Sequence, residues 1–177
     1  MTEFRMFLLI GIICVFSTDA IAQTKPSEPK FGTDADSFRG LQHIGVLVEK
    51  LRHQEQAGLS DATLKTSVEL KLRQNGINVP NDGDPGYSLF PYIYVNVNLM
   101  SVYEGRSFIY AIDVEFRRHL QAYIPTTKET VYVDASPWDR ATLGITSARE
   151  ASSTIREAVN DLLDAFLNVY LSVNPKK

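Results

Sequence analysis

The chain has 177 residues, 44% of them hydrophobic and 22% charged, with a formal net charge of −3. This composition suits one globular domain with a core of ordinary size and excludes a wholly disordered chain. The negative balance also argues against a general nucleic-acid binder, which needs a basic footprint.

The opening stretch, "MTEFRMFLLIGIICVFSTDAIAQ", reads as an export signal. Arg5 precedes an apolar run from Met6 to Phe16, and Ala20-Ile21-Ala22 offers small residues for cleavage before Gln23. The run is shorter than the ~20 apolar residues that a membrane-spanning helix needs. A signal peptide over 1–22 is therefore expected, with no transmembrane span after its removal and a product that is periplasmic or secreted. Glu3 weakens the positive flank and leaves an uncleaved anchor as the alternative. Cys14, the only cysteine, lies inside this run and follows Ile13 rather than a small residue, which argues against lipidation. A cysteine-free mature chain would have no disulfide, no thiolate nucleophile and no thiolate metal ligand.

"QTKPSEPKFGTDADS" (23–37) has two prolines, a glycine, many charges and no apolar period, the pattern of a flexible tether. A single α/β domain is assigned to 38–177. Its first strand is read at Ile44, Val46 and Val48. A helix follows, with Leu64, Val68 and Leu72 on one stripe, Ser60 as N-cap and Asn75-Gly76 as the stop. "INV" (77–79) reads as a short strand, and "PNDGDPG" is turn chemistry.

Pro91–Tyr103 and Phe108–Tyr123 are strongly β-forming, joined through "EGRS" as a hairpin loop. Setting Tyr103 against Phe108 places Val97 opposite Val114, Asn98 opposite Asp113 and Asn96 opposite Glu115. "ETVYVDA" (129–135) adds a strand expected to bury Val131 and Val133, and "SPWDRATLGIT" reads as a loop. Ser147 and Glu150 form an S-x-x-E box ahead of a long helix. The stripe of that helix is Ile155, Val159, Leu162, Phe166, Val169 and Val173. Together these elements predict an α+β two-layer sandwich: a mixed, mostly antiparallel sheet of four to five strands with two helices on one face.

"FRGLQHIGVLVEKL", "TSVELKLRQNGI", "PYIYVNVN", "IDVEF" and "IREAVNDLLDAFLNVYLSVNPK" resemble, in this order, a family of small exported bacterial α/β proteins of unknown function. The resemblance covers about two-thirds of the chain. It implies export and one α/β domain, and brings no activity or catalytic residue with it.

In "PYIYVNVNLM", Ile93, Val95, Val97 and Leu99 alternate with Tyr92, Tyr94, Asn96 and Asn98. With both helices on the aliphatic side, the Tyr/Asn side is left open. Asp113, Glu115 and Tyr132 join it, with Arg117 and Asp134 beside them. Tyr and Asn combine flat apolar area with hydrogen bonding, so this face is the candidate site for an envelope protein or a glycan. The bland alternative is a solvated sheet face whose cross-strand pairs only set register. Asp113 and Glu115, ~7 Å apart on one strand face, are the best carboxylate pair and give the rival reading of a glycan hydrolase. That chemistry needs one carboxyl buried, and an open sheet leaves both wet.

No cofactor or metal site is expected. Asn81, Asp82 and Asp84 in "NDGDPG" lack the closing Glu of an EF-hand, and His43, His53 and His119 lie in separate segments. There is no G-x-S-x-G elbow. Trp138 is read as a plug at one end of the sandwich, with a binding anchor as the alternative. Leu163, Leu167 and Tyr170 widen the last helix beyond its stripe, marking either a homodimer surface or a deeply seated helix.

Overall fold

The computed structural model describes residues 33–51, 57–81, 83–86 and 89–175. The expected signal peptide, most of the tether, His53 and Asp82 lie outside the described residues. The described part opens with a 3₁₀ turn, Asp34–Phe38, that spans the end of the stretch read as tether and the first residue read as domain. Thr33 N–H donates to the Asp36 carboxylate at 2.8 Å, and Arg39 pairs with it at 2.9 Å. These contacts hold the Asp36 carboxyl down to about 2, the Thr33 backbone donor first.

The elements in chain order are β1 (Gly45–Val48), α1 (Asp61–Gln74), β2 (Tyr92–Val102), β3 (Ser107–Ile124), β4 (Glu129–Ser147) and α2 (Ala151–Val173). The open sheet runs β1-β2-β3-β4, with β1 parallel to β2 and every other pairing antiparallel. Helix α1 provides the crossover that a parallel neighbour requires. It starts where Ser60 Oγ accepts from Thr63 N–H at 3.1 Å and ends before Gly76, whose φ of 82° only glycine adopts without strain. "INV" contributes one parallel bridge, His43 with Asn78.

One sheet face and both helices share the core. Ile93, Val95 and Val97 of β2, and Phe108, Ile112, Val114 and Phe116 of β3, are buried against Leu64, Val68 and Leu72 of α1. From α2 come Ile155, Val159, Leu163, Phe166, Leu167 and Tyr170. The deepest line of α2 therefore runs through the residues that looked surplus, while Leu162, Val169 and Val173 pack partly buried beside it. The extra width of the helix is spent inside its own chain. Ser147 and Glu150 do bond each other, but they brace the turn before α2, which begins at Ala151.

Two expectations are corrected in the second half. "SPWDRATLGIT" is not a loop: it belongs to β4, a continuous strand of 19 residues. Trp138 consequently sits in mid-strand, buried, with its ring centroid 5.5 Å from that of Phe166. A bulge between Phe116 and Arg118 absorbs an extra residue of β4 around Pro137, where the missing N–H does no harm. Beyond it β3 and β4 run past the start of β2 as a two-stranded ribbon. The 3₁₀ turn touches only its near end, where Arg118 donates to Ser37 O, and Val131 is only half-buried and Val133 exposed, against the expectation that both are buried.

Candidate functional site

The outer sheet face is built by parity. Val95 and Val97 turn inward, so Tyr92, Tyr94, Asn96 and Asn98 turn outward, as the alternation predicts. The pairing is displaced by two residues from the expected one. Asn96 faces Asp113, Tyr94 faces Glu115, Tyr92 faces Arg117, and Asn98 faces Ala111 rather than Asp113. The cause is the turn. The strands stop at Val102 and resume at Ser107, so the four-residue turn is Tyr103–Arg106, one residue earlier than expected, closed by Arg106 N–H donating to Tyr103 O with Tyr103, Glu104 and Gly105 all at positive φ. A shift of two preserves which side chains share a face, so the seven expected site residues stay on one surface.

That surface has two halves. In the polar half, Tyr94 donates its hydroxyl to Glu49, and the Arg117 guanidinium lies over the Tyr94 ring at 4.2 Å from its centroid. Arg117 Nε also donates to Glu115 at 2.8 Å. The Tyr94 phenol is pushed up to about 12, mainly because the hydroxyl is held by the Glu49 carboxylate and secondarily by burial. The Arg117 guanidinium is shifted upward by Glu115. Tyr132, on the ribbon, accepts from Gln121 at 2.8 Å, and Tyr92 Oη lies 3.5 Å from Asp134. Tyr94, Glu115 and Arg117 are thus tied to one another rather than presented free, while Asn98 and Tyr132 stand out into solvent. Asp113, Glu115, Ser136, Asp139 and Arg140 line an open depression of about 250 Å³.

The second half is apolar and escaped the sequence reading. Met100, Leu143 and Ile145 are 56%, 74% and 60% exposed, and Ile109 and Ala111 lie between them on β3. The signal for the β4 residues was present as the two-residue period of Ala141, Leu143 and Ile145. Pro137 and Gly144, which resemble loop punctuation, obscured it. Glu49 was missed as well, since it follows β1 and meets Tyr94 only through the parallel pairing.

Elsewhere, Asp84 accepts from Asn81 N–H at 2.7 Å, a bond that closes its own turn. His43 stacks on Phe90, with centroids 5.4 Å apart. Among the described residues no group of three or more His, Asp or Glu is arranged to hold a metal ion. Nor is any helix among them long and apolar enough to cross a membrane.

What these features define is an α+β domain with an open four-stranded sheet backed by two helices. No protein-family model and no curated protein matches the chain.

Proposed function

We propose that this protein is an exported, non-catalytic binding or assembly accessory of the cell envelope, related to the small exported bacterial α/β proteins it resembles, and that the outer face of its sheet meets an envelope protein or glycan. The observation that carries this reading is the uncovered face itself. It sets more than half-exposed aliphatics beside tyrosine, asparagine and carboxylate groups, with no element of the described chain over it. Contiguous exposed aliphatic side chains rimmed by polar groups are a feature of interaction surfaces. The hydrolase reading through Asp113 and Glu115 draws less support. Their depression is open, and a Glu115 oxygen is already held by Arg117.

A photo-activated cross-linker placed at position 98 in the native cell tests the proposal. The expected product is a discrete adduct with a species other than the protein itself, lost when Asn96 and Met100 are both replaced by Arg. No such adduct, or one indifferent to those substitutions, refutes the binding face.

A further inference from the structure

The outer face has a direction. Each of its rows takes one residue from β2, one from β3 and one from β4. The two rows that run Met100–Ile109–Ile145 and Asn98–Ala111–Leu143, nearest the turn, carry no charge. The third row brings Asp113, and the fourth sets Glu115 against Asp139, a like charge. At the turn itself Glu104 and Arg106 lie 3.9 Å apart and offset each other.

The cations close to the acidic end are engaged or stand at its margins. Arg117 Nε donates to Glu115. Arg140 donates to the Asp139 main-chain oxygen, and its guanidinium lies over the Trp138 ring. Lys50 lines the β2 edge beside Glu49. No cation among the described residues forms an ion pair with Asp113 or Asp139. The face therefore joins an aliphatic end to an end with two unpaired carboxylates.

Its dimensions suit one kind of cover. A row across three strands spans ~10 Å, and four rows span ~20 Å along the strands. That is the width, and the length over about 14 residues, of an α-helix. The carboxylates repel anionic headgroups and acidic polymers, and a neutral glycan gains little from Met100, Leu143 and Ile145.

We infer that the occupant of this face is an amphipathic helix of a second protein, apolar over Met100, Leu143 and Ile145 and basic over Asp113 and Asp139. Its docking adds a third layer to the sandwich. The inference rests on the outer face being a binding face, and within that reading it selects a cationic protein over a glycan.

Two synthetic peptides of about 14 residues test it. In one, a single helix face bears Leu over its first half and Lys over its second; the other has Glu in place of each Lys. Each is titrated into the purified protein and followed by amide NMR shifts. The Lys peptide is expected to move the amides of Asn98, Ala111, Asp113 and Leu143. It is expected to bind at least about tenfold more tightly than the Glu peptide at low salt. The gap closes at about 1 M salt, where charges are screened within ~3 Å. Asp113→Lys combined with Asp139→Lys reverses the preference, a result that unfolding cannot mimic. Leu143→Ser combined with Ile145→Ser weakens both peptides at least about tenfold. Equal binding of the two peptides overturns the inference, as does a preference indifferent to the charge reversal. So does a face that ignores both peptides, or one that responds to soluble peptidoglycan fragments instead. Each of these failures leaves the cross-link at position 98 to decide the binding face, so the two readings fail separately.

Discussion

Tyr94 shows how one side chain can be legible in its direction and not in its partners. Its place in the alternation is enough to turn it outward, but its hydroxyl is occupied by Glu49, 45 positions away in sequence and brought beside it by the β1–β2 pairing. That bond has a pH signature. The phenol is raised from 10.0 to about 12, so the folded state keeps its proton longer than the unfolded chain does. The stabilisation is whole below pH 10 and is lost as pH rises towards 12. In Glu49→Gln, one phenol is expected to return towards the ordinary range in a phenolate absorbance titration. Tyr170, raised by burial alone, stays high in both proteins. Stability at neutral pH changes by no more than about 1 kcal/mol, as for other surface contacts. Superimposable titrations would remove Glu49 as the cause.

At the scale of elements, what could be read from the sequence is what local chemistry decides. Helix α1 has its cap, its stripe and its glycine stop within the segment itself, and it appears where those signals put it. The inward and outward sets of β2 and β3 follow from a period of two and survived a turn placed one residue too late. Long-range pairing decided the rest. In "SPWDRATLGIT" the short period of Ala141, Leu143 and Ile145 is outweighed locally by Pro137 and Gly144; β3 makes it a strand by offering a ladder, with Pro137 absorbed at the bulge and Gly144 taken up by the Tyr110 ring. The stripe of α2 was misplaced for a similar reason. A helix with apolar residues over a wide arc does not declare which line points deepest, and here packing against β3 and the 3₁₀ turn chose Leu163, Phe166 and Tyr170.

Phe166 is the joint between these elements. Its ring lies 5.5 Å from Phe38, 5.7 Å from Phe116, 5.5 Å from Trp138 and 6.1 Å from Tyr170. One side chain thus ties the 3₁₀ turn, β3 and β4 to α2. Phe166→Ala is expected to cost about 3–5 kcal/mol in denaturant unfolding, the transfer loss plus the cavity left among rings that cannot all collapse. Leu162→Ala, on the partly buried flank of the same helix, is expected to cost less. Equal losses at the two positions would contradict the observed orientation of α2.

Over the whole molecule, support for the sheet is uneven. Between Tyr92 and Val95 on β2, and between Ile112 and Phe116 on β3, each strand has neighbours on both sides and helices over one face. Past Tyr92 the ribbon of β3 and β4 continues alone, paired from Arg118 with Ala135 to Ile124 with Glu129. None of the residues from 117 to 137 is fully buried. A two-stranded ribbon in water is marginal without a third strand or a packed face, so its hydrogen bonds should open locally while the core stays shut. Amide hydrogen exchange followed by NMR is the measurement. Amides paired across residues 119–134 are expected to show protection at least about 100-fold below those of Ile93–Val97 and Ile112–Phe116, since local opening there bypasses the global free energy. Uniform protection along β3 and β4 would mean that something covers the ribbon in solution, and Val131 and Val133 would then be the residues from which to trace it.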